Sequence, residues 1–223
     1  MKNRNVVISG VTGLLGNLVA KKFGERGDRI ALLGHNQTKL DSLVRDLNLP
    51  ETHLFPQVVD LLNGQAVHSA AETVAAKFGS VHGLIHLVGG WSGGKTIPET
   101  PKEDLEFMLN NHVYTTFNLF QSFSKPLAAN GWGRVIVISA STVSNPPGKS
   151  SVYTAAKAAQ ENLVLSLSAE LKGTGVTANI IQVRAIDVEN KGVGTTPAEI
   201  ASAMLYLFSD EANKINGARI PLY

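Results

Sequence analysis

Val6-Val-Ile-Ser-Gly10-Val-Thr-Gly13-Leu-Leu-Gly16-Asn-Leu-Val-Ala20 is the stretch on which the fold turns. A short β-branched run leads into glycines at 10, 13 and 16, and Leu14, Leu15, Leu18, Val19 and Phe23 then recur at helical spacing. That order predicts a strand, a tight turn and a helix. Glycines at such a turn let the backbone approach a pyrophosphate, whose charge is met by N–H groups at the helix N-terminus. Three spaced glycines alone also make an ordinary turn. Their place after the first strand of an alternating strand–helix pattern points to nucleotide binding.

The alternation runs outward from that turn without a linker or low-complexity stretch. Strands are predicted near 5–9, 29–33, 54–59, 82–88, 134–139, 176–182 and 218–222, and helices near 14–26, 37–47, 63–78, 102–129, 152–172 and 197–208. Seven strands separated by six helices imply a doubly wound parallel sheet with helices on both faces, a Rossmann-like α/β fold in one domain spanning 1–223. Ligands in such folds collect at the carboxyl ends of the strands. Gly10, His86 to Gly90, Ser139 to Ser141 and Val183 to Asp187 all fall just beyond predicted strand ends. The Gly-, Pro- and Ser-rich segments 91–101 and 143–151 are loops around the mouth of that site.

Tyr153 and Lys157, in Ser151-Val-Tyr-Thr-Ala-Ala-Lys157, supply the chemistry. Residues four apart share a helix face, which brings the Lys157 ammonium under the Tyr153 phenol. A fixed cation favours the phenolate, and a phenol so tuned can exchange a proton with a carbonyl or alcohol oxygen.

Together these residues make the chain resemble the short-chain dehydrogenase/reductase family over nearly its whole length. Asp60-Leu61 stands where the family sets an acidic residue against the adenine ring, and His86-Leu-Val-Gly89-Gly90 where it has Asn-Asn-Ala-Gly. Gly133-Arg-Val-Ile-Val-Ile-Ser139 matches the strand ending in the catalytic serine, and Asn179 to Asp187 the sixth strand and its loop. The resemblance implies Tyr153 as proton donor and Lys157 as both acidifier of the phenol and ligand of the nicotinamide ribose. Ser141, or else Ser139, orients the substrate oxygen. It further implies cofactor contacts from Gly10, Thr12, Gly13, Leu14, Leu15, Gly16, His35, Asn36, Asp60, Leu61, Val88, Gly89, Gly90, Lys157 and Ile186. A small-molecule carbonyl or alcohol substrate and a homo-dimer or homo-tetramer follow from the same likeness.

The chain also departs from the family. The usual interval back from Tyr153 lands on Ala140, flanked by Ser139 and Ser141; the relay asparagine falls on His112, after Asn110 and Asn111; Val183-Arg184 replaces Pro-Gly. Dihydropteridine reductases within the family resemble this chain in the glycine turn and in Gly89-Gly-Trp91-Ser-Gly-Gly94, and they too carry alanine for the serine. Quinonoid dihydropteridine reduction is therefore one alternative, and a dinucleotide-binding regulator without catalysis is another.

Cofactor choice is read at the end of the second strand. NAD selectivity usually needs an acidic side chain there, to hold the ribose hydroxyls and repel a 2′-phosphate. Gly34 occupies that place, and His35, Asn36 and Lys39 offer donors, so NADP is expected, with NAD as the alternative. The 223 residues and 43% hydrophobic content suit one α/β domain. A net charge of +2 with interspersed signs argues against a nucleic-acid surface. Without cysteine there are neither disulfides nor thiolate chemistry. No apolar run reaches membrane-spanning length and no apolar leader precedes the first strand, from which a cytoplasmic protein is expected. His82 and His86 have metal-like spacing, but no carboxylate follows at ligand spacing, and no metal is expected. Trp91 is read either as a stacking platform for a planar ring or as loop packing. No Gly-x-Ser-x-Gly elbow supports a hydrolase.

Overall fold

The computed structural model describes residues 3–223. One parallel sheet of seven strands runs through it: β1 (Asn5–Ser9), β2 (Arg29–Gly34), β3 (Leu54–Val58), β4 (Gly83–His86), β5 (Gly133–Ala140), β6 (Val176–Val183) and β7 (Arg219–Leu222). Their order in space is β3-β2-β1-β4-β5-β6-β7. β1, β2, β4, β5 and β6 are near-continuous apolar runs because both faces of the sheet are covered. The helices are α1 (Leu14–Glu25), α2 (Gln37–Leu47), α3 (Gly64–Phe78), α4 (Lys102–Leu109), α5 (Thr115–Ala128), α6 (Ser151–Glu170) and α7 (Pro197–Leu207). α1, α2 and α7 bury one face of the sheet through Val6, Ile8, Ile30, Leu32, Phe23, Leu40 and Met204. α3, α5 and α6 bury the other through Val7, Leu33, Val74, Leu84, Phe123, Val137 and Leu167.

Local signals explain where the helices begin and end. Asn36 and Asn63 cap α2 and α3 by accepting from the N–H groups of Lys39 and Ala66 at 2.9 and 3.1 Å. Thr196 and Glu199 form a capping box at α7, with Pro197 at its first position.

Two expectations are corrected. The predicted helix 102–129 is three pieces, because a π-turn over Asn110–Tyr114 separates α4 from α5. Periodicity cannot register one extra residue inside an otherwise continuous apolar pattern. β4 also stops at His86 rather than 88, so that Leu87 to Gly90 leave the sheet and turn toward the site.

The chain goes β1, β2, β3 in one direction and then crosses to β4 on the other side of β1. The carboxyl ends of β1 and β4 therefore diverge into a crevice at the topological switch point. No helix of the described residues is long and apolar enough to cross a membrane.

Candidate active site

A cleft of about 360 Å³ opens at that point, lined by the glycine turn, His86 to Gly90, His112, Tyr153, Lys157 and Val183 to Ile186. Its glycines serve different ends. Gly10 has φ +77°, and a Cβ there would lie 2.7 Å from the Leu87 carbonyl carbon; a Cβ on Gly16 would lie 2.3 Å from the Gly10 oxygen. Both are required by the protein's own packing. Gly13 is different: its φ is −83°, and a Cβ would meet nothing nearer than the Gly10 oxygen at 3.5 Å. The space over Gly13 belongs to the cleft.

Behind Gly13, α1 begins without a side-chain cap and without an acidic residue in its first turn. Its first N–H groups have no intrahelical acceptors, and the dipole adds partial positive charge. Bare glycine, open amides and an uncapped helix start fit a dinucleotide pyrophosphate.

Two histidines shape the cleft. His86, at the end of β4, is 1% exposed and satisfied at both nitrogens. Thr115 spends its proton on the Asn111 carbonyl (2.8 Å), so its oxygen accepts from His86 Nε2 (3.3 Å), and His86 Nδ1 accepts from Ser9 (2.7 Å). His112 enters from the π-turn. Its Nε2 donates to the Gly90 carbonyl at 3.0 Å, its buried Nδ1 has no partner, and its ring stands edge-on to Tyr153 with centroids 5.8 Å apart. Burial, reinforced by the Lys157 charge, holds both histidines down to about 3, so both are neutral at pH 7.

α6 carries Tyr153 and Lys157 into the cleft one turn apart. The hydrogen bonds of Lys157 go to other groups. Lys157 donates to the Ile138 carbonyl of β5 at 2.8 Å and to Gln160 Oε1 at 3.0 Å. Burial lowers it to about 7, against a smaller opposing effect of Glu161, and burial raises the Tyr153 phenol. In both groups desolvation is the largest cause of the shift.

The serines are sorted by the end of β5 at Ala140, since 139 and 141 share the parity of the pleat. Val135, Val137 and Ser139 share the β5 face that meets α6, since side chains alternate along a strand. Ser139 lines the cleft with a buried, unpartnered hydroxyl, whereas Ser141 sits in a short 3₁₀ turn over Ser141–Val143 and is not in the lining.

The other sequence-predicted residues divide. Gly10, Gly13, Leu14, Leu15, Gly16, Val88, Gly89, Gly90 and Ile186 line the same cleft as Tyr153 and Lys157. Thr12 lies in an adjoining depression with Asn17, Thr38 and Lys39. His35 is exposed just past β2, Asn36 has its side-chain oxygen engaged in capping α2, and Asp60 is exposed past β3, accepting from the Leu62 N–H at 2.9 Å. Leu61 is half-buried beside it. These residues follow the carboxyl edge from the cleft toward β3. Trp91 is 66% exposed and outside the lining. His82 precedes β4 at the opposite end from His86, where its Nδ1 accepts from the Asn5 N–H at 3.1 Å.

Sequence reasoning passed over Gln160 and Thr116. Gln160 follows Lys157 by three positions on the same helix face, which is the one signal that marked it. The loop after β6 is short and tied down: the Asp187 carboxylate accepts from the N–H groups of Lys191 and Gly192 at 3.0 and 2.7 Å, which lowers its pKa.

Comparison with known proteins follows the same lines. The profile of the short chain dehydrogenase family matches residues 4–195. The 3-oxoacyl-[acyl-carrier-protein] reductase MabA of Mycobacterium tuberculosis is 27% identical over 238 residues, covering 99% of this chain and 91% of that protein. A short-chain type dehydrogenase/reductase from Mycobacterium ulcerans has a TM-score of 0.92 at 21% identity, over 100% of this chain and 89% of that one. ElxO, solved with NADP bound, has a TM-score of 0.90 at 18% identity, over 99% and 97%. At those identities the two structures speak for the fold.

Proposed function

The chain belongs to the short chain dehydrogenase family, and from that premise we propose that it is an NADP-preferring reductase of a small carbonyl compound, with Tyr153 as its acid. It is an NAD(P)-dependent oxidoreductase of this type. The observation that carries the reading is that one cleft holds both an uncapped glycine-rich helix start and Tyr153 beside Lys157. When bound, the nicotinamide dinucleotide exchanges a hydride with the substrate carbon. Tyr153 gives its phenolic proton to the substrate oxygen, and Lys157 balances the phenolate that remains. Ser139, from its place in the lining, is the hydroxyl best set to orient that oxygen; Ser141 is the other candidate. The first-turn amides of α1 would hold the pyrophosphate of a bound dinucleotide, and Val88 and Ile186, which line the same cleft, would contact it. His35, exposed where an acid would favour NAD, supports NADP. The exposed Phe107, Tyr114 and Phe117 support self-association into a homo-oligomer. Ala140 favours a second reading, quinonoid dihydropteridine reduction by a Tyr153–Lys157 pair.

Tyr153→Phe tests the assignment. NADPH titration followed by fluorescence should give an unchanged dissociation constant, while NADPH oxidation over ketones, quinones and quinonoid pterins should fall by about 10²–10⁴. Activity near wild type in that variant overturns it. In parallel, His35→Asp should move the ratio of NADP to NAD dissociation constants toward NAD.

A further inference from the structure

Arg184 stands apart from the other arginines of the chain. Arg4, Arg26, Arg29, Arg45, Arg134 and Arg219 each donate to an oxygen of the protein itself. Arg184 is exposed in the lining of the cleft, and among the described residues no side-chain hydrogen bond or ion pair engages it.

Nothing acidic answers that charge. Among the described residues the lining holds no aspartate or glutamate. The two acids of the loop after β6 are spent elsewhere: the Asp187 carboxylate accepts from the N–H groups of Lys191, Gly192 and Val193, and Glu189 pairs with Lys191. Lys157, the other cationic side chain of the lining, donates to Ile138 and Gln160, while His86 and His112, held down to about 3, carry no charge at pH 7. An exposed guanidinium in a cleft without acids attracts an anion, and its planar fork of donors suits a carboxylate or a phosphate.

The sheet sets where that anion lies. Val183 pairs with Ala140, so Arg184 leaves β6 beside the end of β5 that carries Ser139. β6 is three strands from β1 in the sheet order, about 14 Å at the ordinary strand spacing. Arg184 therefore belongs to the Ser139 side of the cleft, away from the start of α1 where a pyrophosphate is met. Its root is fixed, because the Thr195 N–H donates to the Ala185 carbonyl and the Asp187 N–H to the Thr195 carbonyl, each at 2.9 Å. A held root lowers the ordering cost of binding.

We propose that Arg184 is the specificity-determining residue of the cleft and that the substrate is an anionic carbonyl compound, an oxo acid or a phosphate-bearing ketone, whose charge the guanidinium holds while its carbonyl lies at Tyr153 and Ser139. The anionic group is a handle and is not itself changed: the carbonyl carbon takes hydride from the reduced dinucleotide, its oxygen takes the Tyr153 proton, and C=O becomes CH–OH. This rests on the reading of the cleft as that of a carbonyl reductase.

The test is calorimetric binding to the complex of the whole chain with NADP⁺, using charged and neutral probes in pairs: pyruvate against pyruvamide, acetoacetate against acetoacetamide, and dihydroxyacetone phosphate against dihydroxyacetone. In the wild-type chain the charged member of at least one pair should bind about tenfold tighter or more, the scale of a charge-assisted hydrogen bond. The pair that does so tells carboxylate from phosphate. In Arg184→Met, of similar reach and without charge, the ratio should fall to about one, and Arg184→Lys, which keeps the charge but not the fork, should restore part of it. No difference within any pair in the wild-type chain overturns the proposal, as does a ratio that survives Arg184→Met. NADPH is titrated into the same variants, and a weakening as large as that for the anionic probe places the guanidinium on a cofactor phosphate and overturns it too. An anion preference that depends on Arg184, found together with full NADPH oxidation in Tyr153→Phe, upholds the anion site and sinks the reading of the acid, so the two failures are told apart.

Discussion

The two ends of the sheet use buried polar groups in opposite ways. At the amino end, Asn5 donates to the Ser80 carbonyl and hydroxyl at 2.8 and 2.9 Å while its oxygen accepts from Arg29 at 2.8 Å. Arg134, 1% exposed, donates to the carbonyls of Leu207, Gly133 and Ser209 at 3.0, 2.8 and 3.2 Å, with its guanidinium 4.2 Å from the centre of the Trp132 ring. At the carboxyl end, α1 starts uncapped, and His112 Nδ1 and Ser139 Oγ are buried without partners. The amino end spends Asn5 and Arg134 on the fold, although the Thr177 and Ser209 hydroxyls there are also unpartnered, whereas at the carboxyl end the open groups His112 and Ser139 line the cleft. Buried groups that find partners stabilise, whereas those left open are costly and so mark where function is kept.

The largest expected effect is at the amino end. Asn5→Ala should cost about 2–3 kcal/mol in denaturant unfolding, because it strips the partners of Arg29 and Ser80 at once. The remaining folded protein should bind NADPH normally. Weakened cofactor binding in this variant would break the division between the two ends.

Gly13→Ala should behave in the opposite way. Its Cβ fits the protein's own packing, so stability should stay within about 0.5 kcal/mol. The NADPH dissociation constant should rise about tenfold, or 1.4 kcal/mol. Loss of stability without loss of binding would mean that the space above Gly13 serves folding.

A third effect sharpens the comparison through pH. His86 ionises near the ordinary 6.5 in the unfolded chain but only at about 3 in the folded one. Between those values the unfolded state binds more protons, so its contribution to stability is full above 6.5 and is lost as pH falls toward 3. His86→Gln should flatten the dependence of Tm on pH between those limits. An unchanged slope would place the acid sensitivity elsewhere.

Much of the molecule was legible in its residues. Apolar runs and helical spacing located all seven strands, and the glycine turn and the Tyr153–Lys157 spacing pointed to the cleft because both are local patterns. The π-turn at Asn110–Tyr114 escaped notice, since it changes hydrogen bonding without changing composition. Which of Ser139 and Ser141 lines the cleft was not legible, because counting residues cannot locate the end of β5 at Ala140, past which Ser141 enters a 3₁₀ turn. The hold of Gln160 on Lys157 also lay beyond reach, because it joins α6 to α5 through Thr116 and to the π-turn beyond.

The sequence by itself determined the order of strands and helices, the glycine turn and the residue types of the acid pair, for these follow from backbone sterics and short-range periodicity. Tertiary structure decided the state of that pair. The protonation and aim of Lys157 depend on desolvation and on partners from β5 and Gln160, distances that exist only once the sheet and its helices have packed.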